Sequence, residues 1–178
     1  MKDTVIFEKI SNMFKEAGIS PILVGGFAVN YYKYARQTID IDFLLEREDF
    51  KKIEKSLRKL GYKPYNETEN FIRFRSDIPY LMDIDFMFVE RDTYEMMFRN
   101  VEIFRIAGQE FFVPSLFNLI AMKLHSIKNN REYRQAKDLP DIYNLIKMNN
   151  VDVNNEDFKE LCLKFGTNEI YDEIIKSV

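Results

Sequence analysis

Val24-Gly25-Gly26 is followed, after thirteen residues, by Ile39-Asp40-Ile41-Asp42-Phe43-Leu44. The apolar run from Pro21 to Val24 predicts a short buried strand. It runs into two glycines, and the pattern from Phe27 to Ala35 is helical. Glycine lets the backbone turn tightly and lets a phosphate approach the amides. An isolated Gly-Gly also fits a plain strand-to-helix turn. The segment from Ile39 to Glu46 reads as a strand, on which side chains alternate between faces. Asp40 and Asp42 therefore share one face, while Ile39, Ile41 and Phe43 take the other. Two like charges so placed repel, and burying either without a partner is costly. A divalent cation resolves both problems. A strand with one solvated face is the alternative reading of the segment taken alone.

A second pair follows in Leu81-Met82-Asp83-Ile84-Asp85-Phe86-Met87, again one strand step apart. Carboxylates from neighbouring strands can converge on hard cations, as in two-metal phosphoryl and nucleotidyl transfer. The other metal chemistries are excluded by composition. The chain has one histidine, His125, and one cysteine, Cys162, so neither a histidine-based zinc site nor an internal disulfide is available. The metal expected here is held by oxygen. The lysine of a Walker A loop and the third glycine of a dinucleotide fingerprint are both missing.

Outward from these strands, Val5, Ile6, Ile10, Met13 and Phe14 predict a helix over 4–17, closed by Gly18. Another amphipathic helix is expected over 48–60, ended by Gly61. Strands are expected over 71–75 and 81–89, and a hairpin over 101–106 and 110–113. After Pro114 the pattern is helical, with helices predicted over 115–129, 138–149, 155–165 and 167–177, and Pro140 in a first turn. The expected organisation is an α/β core over 1–113 and a C-terminal helical part over 114–178 that completes one unit. The 178 residues are 46% hydrophobic and 31% charged, ordinary for a globular chain. No apolar run approaches the length of a membrane span, and Met1 to Thr4 opens no signal-peptide core, so a cytoplasmic location is expected. The net charge of −3 argues against a surface that traps nucleic acid as a whole. Lys123, Lys128, Arg131, Arg134 and Lys137 nevertheless cluster locally. They fit either a face that holds a triphosphate or an RNA backbone, or a solvated helix face.

With these residues in place, the chain resembles the nucleotidyltransferases of the DNA polymerase β superfamily. That family's pattern is a hydrophobic residue, Gly, Gly or Ser, an intervening segment, then Asp, hydrophobic, Asp or Glu, hydrophobic. It is met by Val24-Gly25-Gly26 and Asp40-Ile41-Asp42-Phe43. A third carboxylate is expected on a later strand. Asp85 is favoured, within Ile84-Asp85-Phe86-Met87, and Asp83 is the alternative. Val113-Pro114-Ser115, Leu119-Ile120-Ala121-Met122-Lys123 and Arg134-Gln135-Ala136-Lys137-Asp138-Leu139-Pro140-Asp141 are similar to the AbiEii-type group, which includes toxins of type IV toxin–antitoxin systems. The resemblance implies an α+β fold, a mixed sheet flanked by helices with a C-terminal helical part. It implies transfer of a nucleoside monophosphate from an NTP to a hydroxyl, with Mg2+ or Mn2+ as cofactor. Asp40, Asp42 and Asp85 are the implied metal ligands, and Gly25 and Gly26 leave room for phosphates. Lys123 and Lys137 would neutralise triphosphate charge, Asp138 would cap the last long helix, and Asp141 would orient Lys137. Arg36 and Thr38, just before the aspartate strand, are further candidates for touching phosphate or acceptor. The implied acceptor is a tRNA, a protein or a small hydroxylated molecule such as an antibiotic, and a toxin would have a cognate antitoxin. Two rival readings keep the fold: a non-catalytic nucleotide- or RNA-binding module, and an antibiotic-modifying enzyme.

Overall fold

Hydrophobic alternation over Asp40–Leu45 and Asp83–Phe88 builds the two central strands of the sheet. The computed structural model describes residues 2–78 and 81–178, so Met1 lies outside the described residues. In chain order the elements are α1 (Lys2–Ala17), β1 (Ile22–Leu23), α2 (Gly25–Tyr31), β2 (Asp40–Leu45), α3 (Arg47–Lys59), β3 (Tyr62–Thr68), β4 (Phe71–Ser76), β5 (Asp83–Phe88), α4 (Arg91–Phe98), β6 (Glu102–Ile106), β7 (Gln109–Val113), α5 (Leu116–Asn129), α6 (Arg131–Met148), α7 (Glu156–Phe165) and α8 (Asn168–Ser177). The chain divides into two units. One comprises Met1–Ala28 and Gln37–Pro114, the other Val29–Arg36 and Ser115–Val178.

The first unit holds a seven-stranded mixed sheet in the order β3-β4-β5-β2-β1-β7-β6. β2 runs parallel to β5, while β1 is antiparallel to β2 and parallel to β7. The apolar face of the central strands carries Ile41, Phe43, Ile72, Phe74, Ile84 and Phe86, all buried. Phe86 lies 5.9 Å from Phe43 and 5.2 Å from Phe50 of α3, and Phe14 of α1 meets Phe43 edge-on at 4.9 Å. These ring pairs add to the burial of a large apolar area. Phe50, Ile53 and Leu57 form the buried stripe of α3. With this face sealed by helices, the alternation leaves the carboxylates of β2 and β5 on the opposite face.

Two elements lack the pattern that would announce them. β3 buries only Tyr62, and its remaining side chains are exposed. It is a polar edge strand, held by its ladder to β4, with a register shift between Pro64 and Asn66. α4 is eight residues long and buries only Met97.

The second unit is helical. Leu119, Ile120, Leu124 and Ile127 of α5, with Leu139, Ile142, Leu145 and Ile146 of α6, form its core, joined by Phe158 and Cys162 of α7 and Ile170 and Ile174 of α8. Ser115 Oγ accepts from the Asn118 amide at 3.3 Å and Thr167 Oγ1 from the Ile170 amide at 3.3 Å, capping α5 and α8. Burial pushes the Cys162 thiol up to about 12, so it stays protonated as a small core side chain. Helix α6 starts seven residues earlier than the helix expected from 138, at Arg131. Pro140 is thus interior, and Asp138 stands in mid-helix rather than at a cap. Pro140 lacks the amide that would close one helical hydrogen bond. The helix continues through it because Leu139, Ile142 and Leu145 are buried on both sides of it. Among the described residues, no helix is long and apolar enough to cross a membrane.

Candidate active site

The parallel register of β2 and β5 sets Asp40 opposite Asp83 and Asp42 opposite Asp85. Four carboxylates therefore lie on one face of two adjacent strands. Three of them, Asp40, Asp42 and Asp85, each offer an oxygen within 4.8 Å of the others. Asp83 stands outside this group and pairs with Arg75, Nε to Oδ2 at 3.2 Å. Oxygens about 2.1 Å from a Mg2+ ion are roughly 3 to 4 Å apart, and the larger Ca2+ spans a little more. The donor set is three carboxylates, all oxygen. Both its chemistry and its spacing fit a hard divalent cation.

The glycines are explained by what stands against them. Gly25 has φ +61°, and a Cβ there would fall 1.9 Å from Asp42 Oδ2. A Cβ on Gly26 would fall 2.5 Å from Thr38 Oγ1. The turn into α2 thus lies directly against Asp42 and Thr38. The Thr38 hydroxyl in turn donates to Asp40 Oδ1 at 3.0 Å. Gly25→Ala is expected to lower stability by about 1–3 kcal/mol, since it adds a left-handed penalty and forces Asp42 aside. Urea denaturation checks this. An alanine variant as stable as the wild type would show that the loop relaxes freely.

One neighbour was not singled out in the sequence. Arg73 of β4 stands opposite Asp85 in the antiparallel β4–β5 ladder. Its Nε donates to Asp85 Oδ1 at 2.8 Å and its Nη2 to Oδ2 at 2.5 Å. The guanidinium is held above the ordinary arginine value, chiefly by this hydrogen bond to Asp85. A signal was present: Arg73 and Arg75 repeat the two-residue spacing of Asp83 and Asp85 on the next strand.

In the helical unit, Lys123 of α5 is buried with its Nζ 3.0 Å from Asp138 Oδ1 and 2.6 Å from Asp141 Oδ2. The i,i+3 spacing of the two aspartates places both on one face of α6. Asp141 Oδ1 lies 3.0 Å from Arg36 Nε, and Asp138 Oδ2 lies 3.4 Å from Arg134 Nε. Both oxygens of Asp141 are therefore engaged by Lys123 and Arg36, in place of the expected partner Lys137. Lys128, Arg131 and Lys137 are exposed, whereas Lys123 is turned inward. The basic stretch does not form a single cationic face.

Solved structures share this fold. A crystal structure of ANT(2")-Ia in complex with adenylyl-2"-tobramycin matches with a TM-score of 0.68 at 16% identity, covering 93% of this chain and 97% of that one. The lincosamide antibiotic adenylyltransferase LnuA, lincomycin-bound, gives 0.58 at 14% identity over 83% of this chain and 98% of that one. An antigenic nucleotidyltransferase-like protein from Paracoccidioides brasiliensis gives 0.58 at 12% identity over 98% and 92%. No curated relative matches the sequence. A family model described as an uncharacterised nucleotidyltransferase matches residues 4–176, nearly the whole of the sequence, and the chain accordingly belongs to that nucleotidyltransferase family.

Proposed function

We propose that the protein is a metal-dependent enzyme that moves a nucleoside monophosphate from an NTP to a hydroxyl acceptor and releases pyrophosphate. The observation that carries this is the convergence of Asp40, Asp42 and Asp85 from two parallel strands, beside the Gly25-Gly26 turn. Mg2+ or Mn2+ bound by these carboxylates would polarise the phosphoryl oxygens and offset charge on the leaving pyrophosphate. Asp85 takes the proton of the acceptor hydroxyl. Thr38 orients Asp40 through its hydroxyl, and Gly25 and Gly26 leave backbone amides open to phosphate. Residues 1–113 carry these groups. Residues 114–178 carry Lys123, Asp138 and Asp141, which order α5 against α6, and the exposed Lys137.

For the acceptor, the Lys123 and Lys137-Asp138-Leu139-Pro140-Asp141 pattern supports an AbiEii-like reading. The acceptor would then be a tRNA or a protein in the cytoplasm, with a cognate antitoxin as partner. The antibiotic adenylyltransferases that share the fold support a second reading, in which a small hydroxylated molecule is the acceptor. Incubation with NTPs labelled at the α-phosphate, together with RNA, protein and small-molecule fractions of a cell extract, tests both. Label is expected in one fraction, with pyrophosphate released. Nucleotide binding without any labelled product would favour a binding module instead.

A further inference from the structure

Asp85 is the most deeply buried of the three carboxylates, 2% exposed, yet both of its oxygens are already engaged. The Arg73 fork meets the carboxylate edge to edge, which fixes its plane as well as its charge. The strand register supplies this partner directly, Arg73 opposite Asp85. The next arginine along, Arg75, is differently employed. It is half exposed, bonds Asp83 through one nitrogen, and lies 3.6 Å over the Tyr65 ring. Arg73 is thus a cation that holds a member of the carboxylate group through two hydrogen bonds.

A guanidinium does not lose its charge at accessible pH. A divalent ion on Asp85 would lie about 5 to 6 Å from it, given ordinary ligand and hydrogen-bond lengths. Even at the dielectric constant of water, a repulsion across that distance weakens a divalent ion by about tenfold. A polyphosphate carries enough negative charge to offset it.

We propose that Arg73 is a positioning residue and built-in counter-ion for the third metal carboxylate. It holds Asp85 in place when no divalent cation is bound. It also weakens cation binding there, so that full affinity is reached only together with the polyphosphate of the donor. This rests on the metal-dependent reading given above.

The test uses Mn2+ alone, titrated into the intact protein without nucleotide and followed by electron paramagnetic resonance. Arg73→Gln is expected to bind Mn2+ about tenfold more tightly than the wild type. In chelator it should melt below the wild type, because Asp85 has lost its partner, and Mn2+ should raise its melting temperature more than it raises that of the wild type. Arg73→Lys keeps the charge, and with it the fold, and should bind Mn2+ as weakly as the wild type. Unchanged Mn2+ affinity in Arg73→Gln, or tighter binding in Arg73→Lys, overturns the proposal. Asp42→Asn separates the two levels. If it loses Mn2+ while Arg73→Gln is unchanged, the metal reading stands and the counter-ion role fails. If it keeps wild-type Mn2+ affinity, both fail.

Discussion

Asp42→Asn is expected to lower nucleotidyl transfer on the order of a thousandfold or more without unfolding the protein. Asparagine keeps the size of the side chain and one acceptor oxygen but loses the charge that a hard cation requires. Asp42 is central to the group. Its carboxylate lies against Gly25, its register partner is Asp85, and one of its oxygens is within 4.8 Å of those of Asp40 and Asp85. Removing one negative charge from this face relieves repulsion in the metal-free protein. The melting temperature should therefore stay level or rise, the pattern expected where stability has been given up for function. The check pairs a melting curve with pyrophosphate release on whichever fraction of extract accepts label. A variant that melts normally and transfers normally would remove Asp42 from the site.

The central strands were legible because they obey a period of two with charge on one face and large apolar groups on the other. Ile41, Phe43, Ile84 and Phe86 are fully buried where that alternation puts them. The meeting of the two aspartate pairs follows from the register of two parallel strands far apart in sequence, which sets Asp83 opposite Asp40 and Asp85 opposite Asp42, and Asp85, favoured in the sequence, joins Asp40 and Asp42. Spacing within either strand does not contain that register. The same holds for Arg73, whose partner is set by the β4–β5 ladder. β3 escaped because a polar edge strand draws on backbone pairing and carries no hydrophobic signature. The helix expected over 138–149 is shorter than α6 because proline is a strong local breaker. Its Pro140 is overridden by buried neighbours and by two aspartates that pair with Lys123, a tertiary effect outside any local window.

Lys123→Ala is expected to destabilise the protein by about 3 kcal/mol or more, the range found when one partner is removed from a buried ion pair. Lysine at this position invites a simpler reading, a phosphate contact whose loss spares the fold. The geometry opposes that. The Lys123 side chain is 8% exposed, and those of Asp138 and Asp141 are 6% and 3% exposed. Its ammonium bonds both carboxylates. Without it, Asp138 keeps only the longer approach of Arg134, and Asp141 keeps Arg36. These residual cations hold the expected loss near the lower end of the range. Lys123→Met restores the packed volume but no charge, so a loss of similar size would assign the effect to the ion pairs and not to a cavity. Lys137→Ala, exposed on the same helix as the aspartates, is the control, with a change within about 0.5 kcal/mol. Urea denaturation of the three variants measures these differences. If Lys123→Ala unfolds at the wild-type urea concentration, the buried network contributes nothing to the fold. Lys123 would then have to be explained through the ligand it binds.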